Sequence, residues 1–152
     1  MSTLYTFVVV VHVLAAALWV GGMGLFALVV VPVAKRTLDE ERARALLHGI
    51  GLRFASVGWY ALGTLVVTGA LNLHLRGLDA ALATADFWRS PFGHTLAAKL
   101  GVVALVALAS VAHARDARRG DRMRAAKLGR AILVLSVVVV VLAVMLVRGV
   151  GV

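Results

Sequence analysis

Five histidines, four methionines and no cysteine define the soft-ligand chemistry open to this 152-residue chain. Imidazole suits copper, zinc and haem iron, and a thioether adds a preference for Cu(I) or for an axial haem position. The lack of cysteine excludes thiolate metal sites, iron–sulfur clusters, disulfides and cysteine nucleophiles. Gly-rich phosphate loops, paired membrane carboxylates and a Ser-His-Asp order are absent too. His12 stands apart from the other four histidines. It lies in a stretch from Leu4 to Ala34 that carries no charged side chain, with Trp19 two helical turns further on. An imidazole in lipid needs a partner, either from a neighbouring helix or from a bound ligand.

The elements that position these residues follow from hydropathy. About 20 consecutive apolar residues cross a bilayer core of about 30 Å as a helix. Four segments qualify, at about 4–33, 54–75, 95–114 and 130–148. A hydrophobic fraction of 62%, a mean hydropathy of +0.97 and only 15% charged residues agree with a chain solvated mostly by lipid. The expected fold class is therefore all-α, an integral membrane four-helix bundle in one domain, 1–152, with short loops and no internal repeat. The first segment lacks the positive n-region of a secretory signal and runs beyond 7 to 15 residues, so a retained span is expected.

Charge position fixes the expected orientation. The net charge of +9 would suggest nucleic acid in a soluble protein, but the cations sit in loops between spans. Lys and Arg number five, two and seven along the three loops. The positive-inside rule then places loops one and three in the cytoplasm and both termini outside. The run from Arg115 to Arg130 reads as a topology anchor on anionic lipid headgroups, not as a nucleic-acid site. Every Asp and Glu lies in a loop, so no proton carrier is evident in the spans. In loop one, Thr37-Leu38-Asp39-Glu40 reads as a capping box opening a short amphipathic helix towards Leu47, with Glu40 and Arg44 spaced as an i,i+4 pair. In the outer loop, Phe87 and Trp88 precede the turn signal Ser90-Pro91-Phe92-Gly93.

Depth and helical phase sort the candidates. His12 lies about 10 Å inward from the outer start of span one at about 1.5 Å per residue. His74 closes span two and His94 opens span three at the outer level, with Met145 near the outer end of span four, whereas His48 and His113 are cytoplasmic. His12, His74, His94 and Met145 thus form a candidate metal or haem set. At about 100° per residue, His12, Ala15, Ala16, Trp19, Met23 and Phe26 share one face of span one. On span two, Thr64, Thr68 and Asn72 form a polar stripe, and His74 falls on a different face with Gly63, Val67 and Ala70; phase alone allows either face to point inward. On span three, Lys99 aligns with Val103, Val106, Ser110 and His113, and His94 is out of phase. Lys99 either snorkels to the headgroups or faces inward, where its charge suits a haem propionate.

Taken in order, His12-x-x-Ala15-x-x-x-Trp19-x-Gly21-Gly22, Pro32 at the end of span one, Arg53-Phe54, Thr68-Gly69 with Asn72, Phe92-Gly93 followed by Lys99, and Leu128-Gly129-Arg130 leading to Leu146-Val147-Arg148-Gly149 resemble the small CopD-like membrane proteins associated with copper resistance. The resemblance covers most of the chain and implies an inner-membrane copper-handling protein. It departs at His94, where Arg or another residue stands in many relatives. A second similarity is to the four-helix, haem-containing protoporphyrinogen oxidase of the HemJ type, with His12, Trp19, Gly21 and Lys99 in corresponding places and Val31-Pro32-Val33 in place of Leu-Pro-Arg.

The expectation is copper, as Cu(I), held by His12 with His74, His94 and Met145 as further ligands near the periplasmic side. Trp19, Asn72 and Lys99 are the expected cofactor-contacting residues, and no catalytic residue is assigned. Haem b is the alternative cofactor, and a ligand-free structural or assembly subunit is the third reading. Expected partners are membrane lipid and a periplasmic copper-binding protein, with no nucleic acid; a homo-oligomer is compatible with the sequence.

Overall fold

Ser2 starts the first helix, its hydroxyl accepting a hydrogen bond from the Tyr5 amide at 3.2 Å. The computed structural model describes residues 2–148, apart from the Arg122 side chain. It divides into two compact units, Met1–Gly77 and Leu78–Val152. All regular structure among the described residues is helical. Four helices are long and apolar enough to cross a membrane, so the chain is an all-α, multi-pass membrane protein.

The first unit is a helical hairpin of α1 (Thr3–Thr37) and α2 (Glu40–Leu75). Pro32, expected at the end of span one, does not end the helix. The helix instead widens into a π turn at Phe26–Val30, where the Val31 amide bonds to the Phe26 carbonyl, and then continues through Pro32 to Thr37. The wider turn accommodates a residue that cannot donate and whose ring crowds the carbonyl four residues back. The capping box is also corrected. Thr37 bonds back to the Val33 carbonyl at 2.8 Å, and the cap of α2 is Asp39, which accepts from the Arg42 amide at 2.8 Å. Asp39 is two residues further along than Thr37, immediately before the helix, and its extended backbone places it to cap once Leu38 turns extended. Glu40 and Glu41 complement the helix dipole in the first turn, and Glu40 pairs with Arg44 as expected. No separate amphipathic helix ends near Leu47, because that segment is the first part of the 36-residue α2. At 1.5 Å per residue α2 is about 54 Å long, well beyond a bilayer core.

Aromatic rings seated in glycine notches hold this hairpin together. The Phe54 ring occupies the place where a Cβ on Gly22 would stand. Trp19 lies against Gly58 so closely that a Cβ there would be 3.0 Å from the indole. Between helices in lipid such close packing replaces the hydrophobic drive available in water.

The second unit opens with two short helices, α3 (Asp79–Leu82) and α4 (Ala85–Arg89), followed by a hairpin of α5 (Pro91–Arg119) and α6 (Arg122–Arg148). The Ser90 hydroxyl ties α4 to α5, donating to the Phe87 carbonyl at 2.6 Å and accepting from the Gly93 amide at 3.0 Å. Pro91 takes the first-turn position where no donor is needed. Phe87 meets Trp88 and Phe92 edge-on at 5.2 and 5.8 Å, and the Trp88 indole donates to the Leu82 carbonyl at 2.9 Å. Gly93 is required here, since a Cβ would collide with the Phe87 carbonyl. At the other end α5 stops at Gly120, whose φ of 79° suits glycine. Asp121 then caps α6, accepting from the Arg124 amide at 3.1 Å.

Candidate functional site

The phase expected from the sequence holds along both hairpins. His12, Ala15, Ala16, Trp19, Met23 and Phe26 are all half-buried, while Leu14 and Leu18 between them are exposed. On α2 the stripe of Thr64, Thr68 and Asn72 turns inward, with Thr68 buried. The alternative face, with Gly63, Val67, Ala70 and His74, is exposed.

These two inward faces bring His12 to Thr68. The imidazole Nδ1 lies 2.7 Å from the Thr68 hydroxyl oxygen, and that hydroxyl is 2.6 Å from the Thr64 carbonyl. A hydroxyl has one proton, and the carbonyl can only accept. The Thr68 proton therefore points back along α2, and His12 must donate through Nδ1–H. In the uncharged ring the lone pair then belongs to Nε2. Carbon Cε1 of the ring lies in ordinary contact with Gly69, where a Cβ would stand at 3.6 Å, so the absence of a side chain at 69 makes room for the imidazole. A hydroxyl that holds the Nδ1 proton fixes both the ring plane and the tautomer, as oxygen acceptors do behind metal-ligating histidines.

One helical turn from Thr68 towards the C-terminal end of α2 lies Asn72. Its Oδ1 is buried and has no hydrogen-bond partner among the described residues. An amide oxygen cut off from water without a donor is costly, and such groups in native proteins call for an explanation.

The other candidates distribute differently. Trp19 packs on Gly58 within the hairpin. His74 is exposed in the last turn of α2. In the second unit His94 is exposed in the first turn of α5, Met145 is half-buried near the end of α6, and Lys99 is half-buried on the inward stripe with Val103, Val106, Ser110 and His113. His48 is exposed. Among the described residues no group of three or more His, Asp or Glu gathers that could hold a metal ion.

One interhelical pairing has no counterpart in the sequence reading. His113 Nδ1 lies 2.8 Å from the Ala125 carbonyl oxygen across the α5–α6 hairpin. Since that carbonyl only accepts, His113 too donates through Nδ1–H. Its ring rests near Gly129, where a Cβ would be 3.6 Å from Cε1. Each hairpin is thus clasped by one histidine that crosses to a glycine-bearing stretch of the opposite helix.

The hairpins and the single imidazole fixed within the first of them define a polytopic helical membrane protein with a polar site in its apolar interior. Residues 14–119 match the model of a domain of unknown function, DUF4149. The chain belongs to the DUF4149 family. The matched stretch begins two residues after His12, contains Trp19, Thr68, Asn72, Lys99 and His113, and ends with α5. No curated protein and no solved structure matches the chain.

Proposed function

We propose that the protein handles copper in the cell inner membrane, in the manner of the CopD-like proteins it resembles, with His12 as the ligand that receives the ion. The observation that carries this reading is the 2.7 Å contact between His12 Nδ1 and the Thr68 hydroxyl, which fixes the plane of an imidazole inside an apolar span. Copper is the cargo here. Histidine and methionine are the donors a cysteine-free chain can offer to Cu(I). His12 is the one ligand that the geometry within its hairpin supports. The positive-inside rule supports loops one and three on the cytoplasmic side, which puts His12 in the outer half and lets a periplasmic copper-binding partner deliver the ion. Thr68 orients the ring, and the buried Asn72 Oδ1 accepts a hydrogen bond from a donor carried in with the ion, such as bound water.

The test is Cu(I) titration of the purified protein against a chromophoric chelator, with a visible spectrum of the same sample. Copper binding should weaken at least tenfold in His12→Ala. Thr68→Val, which removes only the orienting hydroxyl, should cost about 10–100-fold, as such supporting groups do. Equal affinity in wild type and His12→Ala would sink the assignment. A Soret band in the purified protein would pass the ligand role of His12 from copper to haem iron.

A further inference from the structure

We propose that the α5–α6 turn is a binding site for anionic phospholipid headgroups, distinct from the weaker, largely self-neutralised charge of the α1–α2 turn. The two turns differ in how their cations are used. In the α1–α2 turn, Arg42 lies 3.3 Å from Asp39 and Arg44 pairs with Glu40, with Glu41 adding a further negative charge. In the α5–α6 turn, Asp121 is committed to Arg124 at 3.3 Å and to capping α6. Arg115, Arg118, Arg119, Lys127 and Arg130 are exposed and make no ion pair among the described residues. Seven cations face two carboxylates in this stretch, against five and three in the other.

Geometry gathers the free cations. The left-handed Gly120 returns the chain at once, with Asp121 bonding back to the Asp116 carbonyl at 3.0 Å. The His113 to Ala125 hydrogen bond holds the two helices together one to two turns inward. Arg118 and Arg119 at the end of α5 thereby flank the turn, with Arg115 about one helical turn back and Lys127 and Arg130 about one and two turns into α6, at the end of two helices long enough to span a membrane. Headgroup phosphates at that boundary meet this local excess of positive charge. Basic clusters beside spans attract anionic lipid with about a fivefold preference per cation, falling off within a Debye length.

The full chain in non-ionic detergent, offered equal amounts of phosphatidylglycerol and phosphatidylcholine, is read by native mass spectrometry for bound lipid. Phosphatidylglycerol should dominate by at least tenfold. The triple variant Arg118→Gln, Arg119→Gln, Lys127→Gln should lose that preference, while Arg118→Lys with Arg119→Lys keeps it. These three side chains are exposed, and unchanged helix content by circular dichroism confirms that the glutamine variant is folded. Arg42→Gln with Arg44→Gln should leave the preference as in wild type. Equal binding of the two lipids overturns the proposal, as does a preference that survives the triple variant or falls equally with the loop-one pair. Tighter binding of a 20-base-pair DNA duplex than of phosphatidylglycerol, lost in the same triple variant, would make the turn a nucleic-acid site and overturn it as well.

Discussion

Replacing Thr68 by Val keeps the shape of the side chain and deletes the oxygen that receives the His12 proton at 2.7 Å. The Thr64 carbonyl loses only a hydroxyl back-bond at 2.6 Å. The imidazole N–H, in contrast, is left facing a methyl group. Interhelical hydrogen bonds in membranes contribute about 0.6 and up to about 1.7 kcal/mol, and a buried donor without an acceptor adds a desolvation cost of about 1–3 kcal/mol. The half-buried ring can recover part of this by turning, so a loss of about 1–2 kcal/mol is expected. Reversible unfolding in mixed micelles of SDS and a mild detergent measures it, in a cycle with His12→Leu. The double variant should be less impaired than the two single losses imply, with a coupling of about 1 kcal/mol. Imidazole nitrogen-15 spectra read the tautomer directly: Nδ1 protonated in the wild type, and a mixture of tautomers in Thr68→Val. Additivity within about 0.3 kcal/mol together with an unchanged imidazole spectrum would refute the inference that Thr68 fixes the ring.

Asn72→Leu removes a buried oxygen that lacks a donor, so the ligand-free protein should gain about 1 kcal/mol by the same micellar assay, while copper retention falls. Gly93→Ala drives a methyl group into the Phe87 backbone, so it should lower stability by about 1–3 kcal/mol; Gly101→Ala, which meets nothing within 4 Å, should be neutral or slightly stabilising. His113→Leu removes the bond to the Ala125 carbonyl and should destabilise the protein by about 1 kcal/mol, again by micellar unfolding.

The spans and the polar stripe of Thr64, Thr68 and Asn72 were legible because hydropathy and helical phase depend only on residue type and spacing; which face of span two turns inward was not, because phase alone does not say where the partner helix lies. The continuity of α1 and α2 was not legible either. Pro32 and the charged stretch after Asp39 are both read as breaks, yet a π turn absorbs the proline and a solvated helix extends the span. The clasp at His113 was hidden for another reason: its acceptor is the main-chain carbonyl of Ala125, a group every residue has. The partnership of His12 with Thr68 required knowing the antiparallel register, which the notches at Gly22, Gly58 and Gly69 set.

The π turn shifts the buried face of α1 along its length. Extending the stripe from Phe26 by two regular turns lands on Val33, which is 52% exposed, whereas Ala34 is 3% exposed. The widened turn holds one residue too many for an α-helix, so it works as a phase shifter, advancing the buried seam by one position. Removing Leu28 together with Pro32→Ala would restore a regular helix with the seam still aligned. The same single deletion placed near Ala16 would rotate everything beyond it by about 100°, turning the Trp19 and Phe26 side of the helix away from α2.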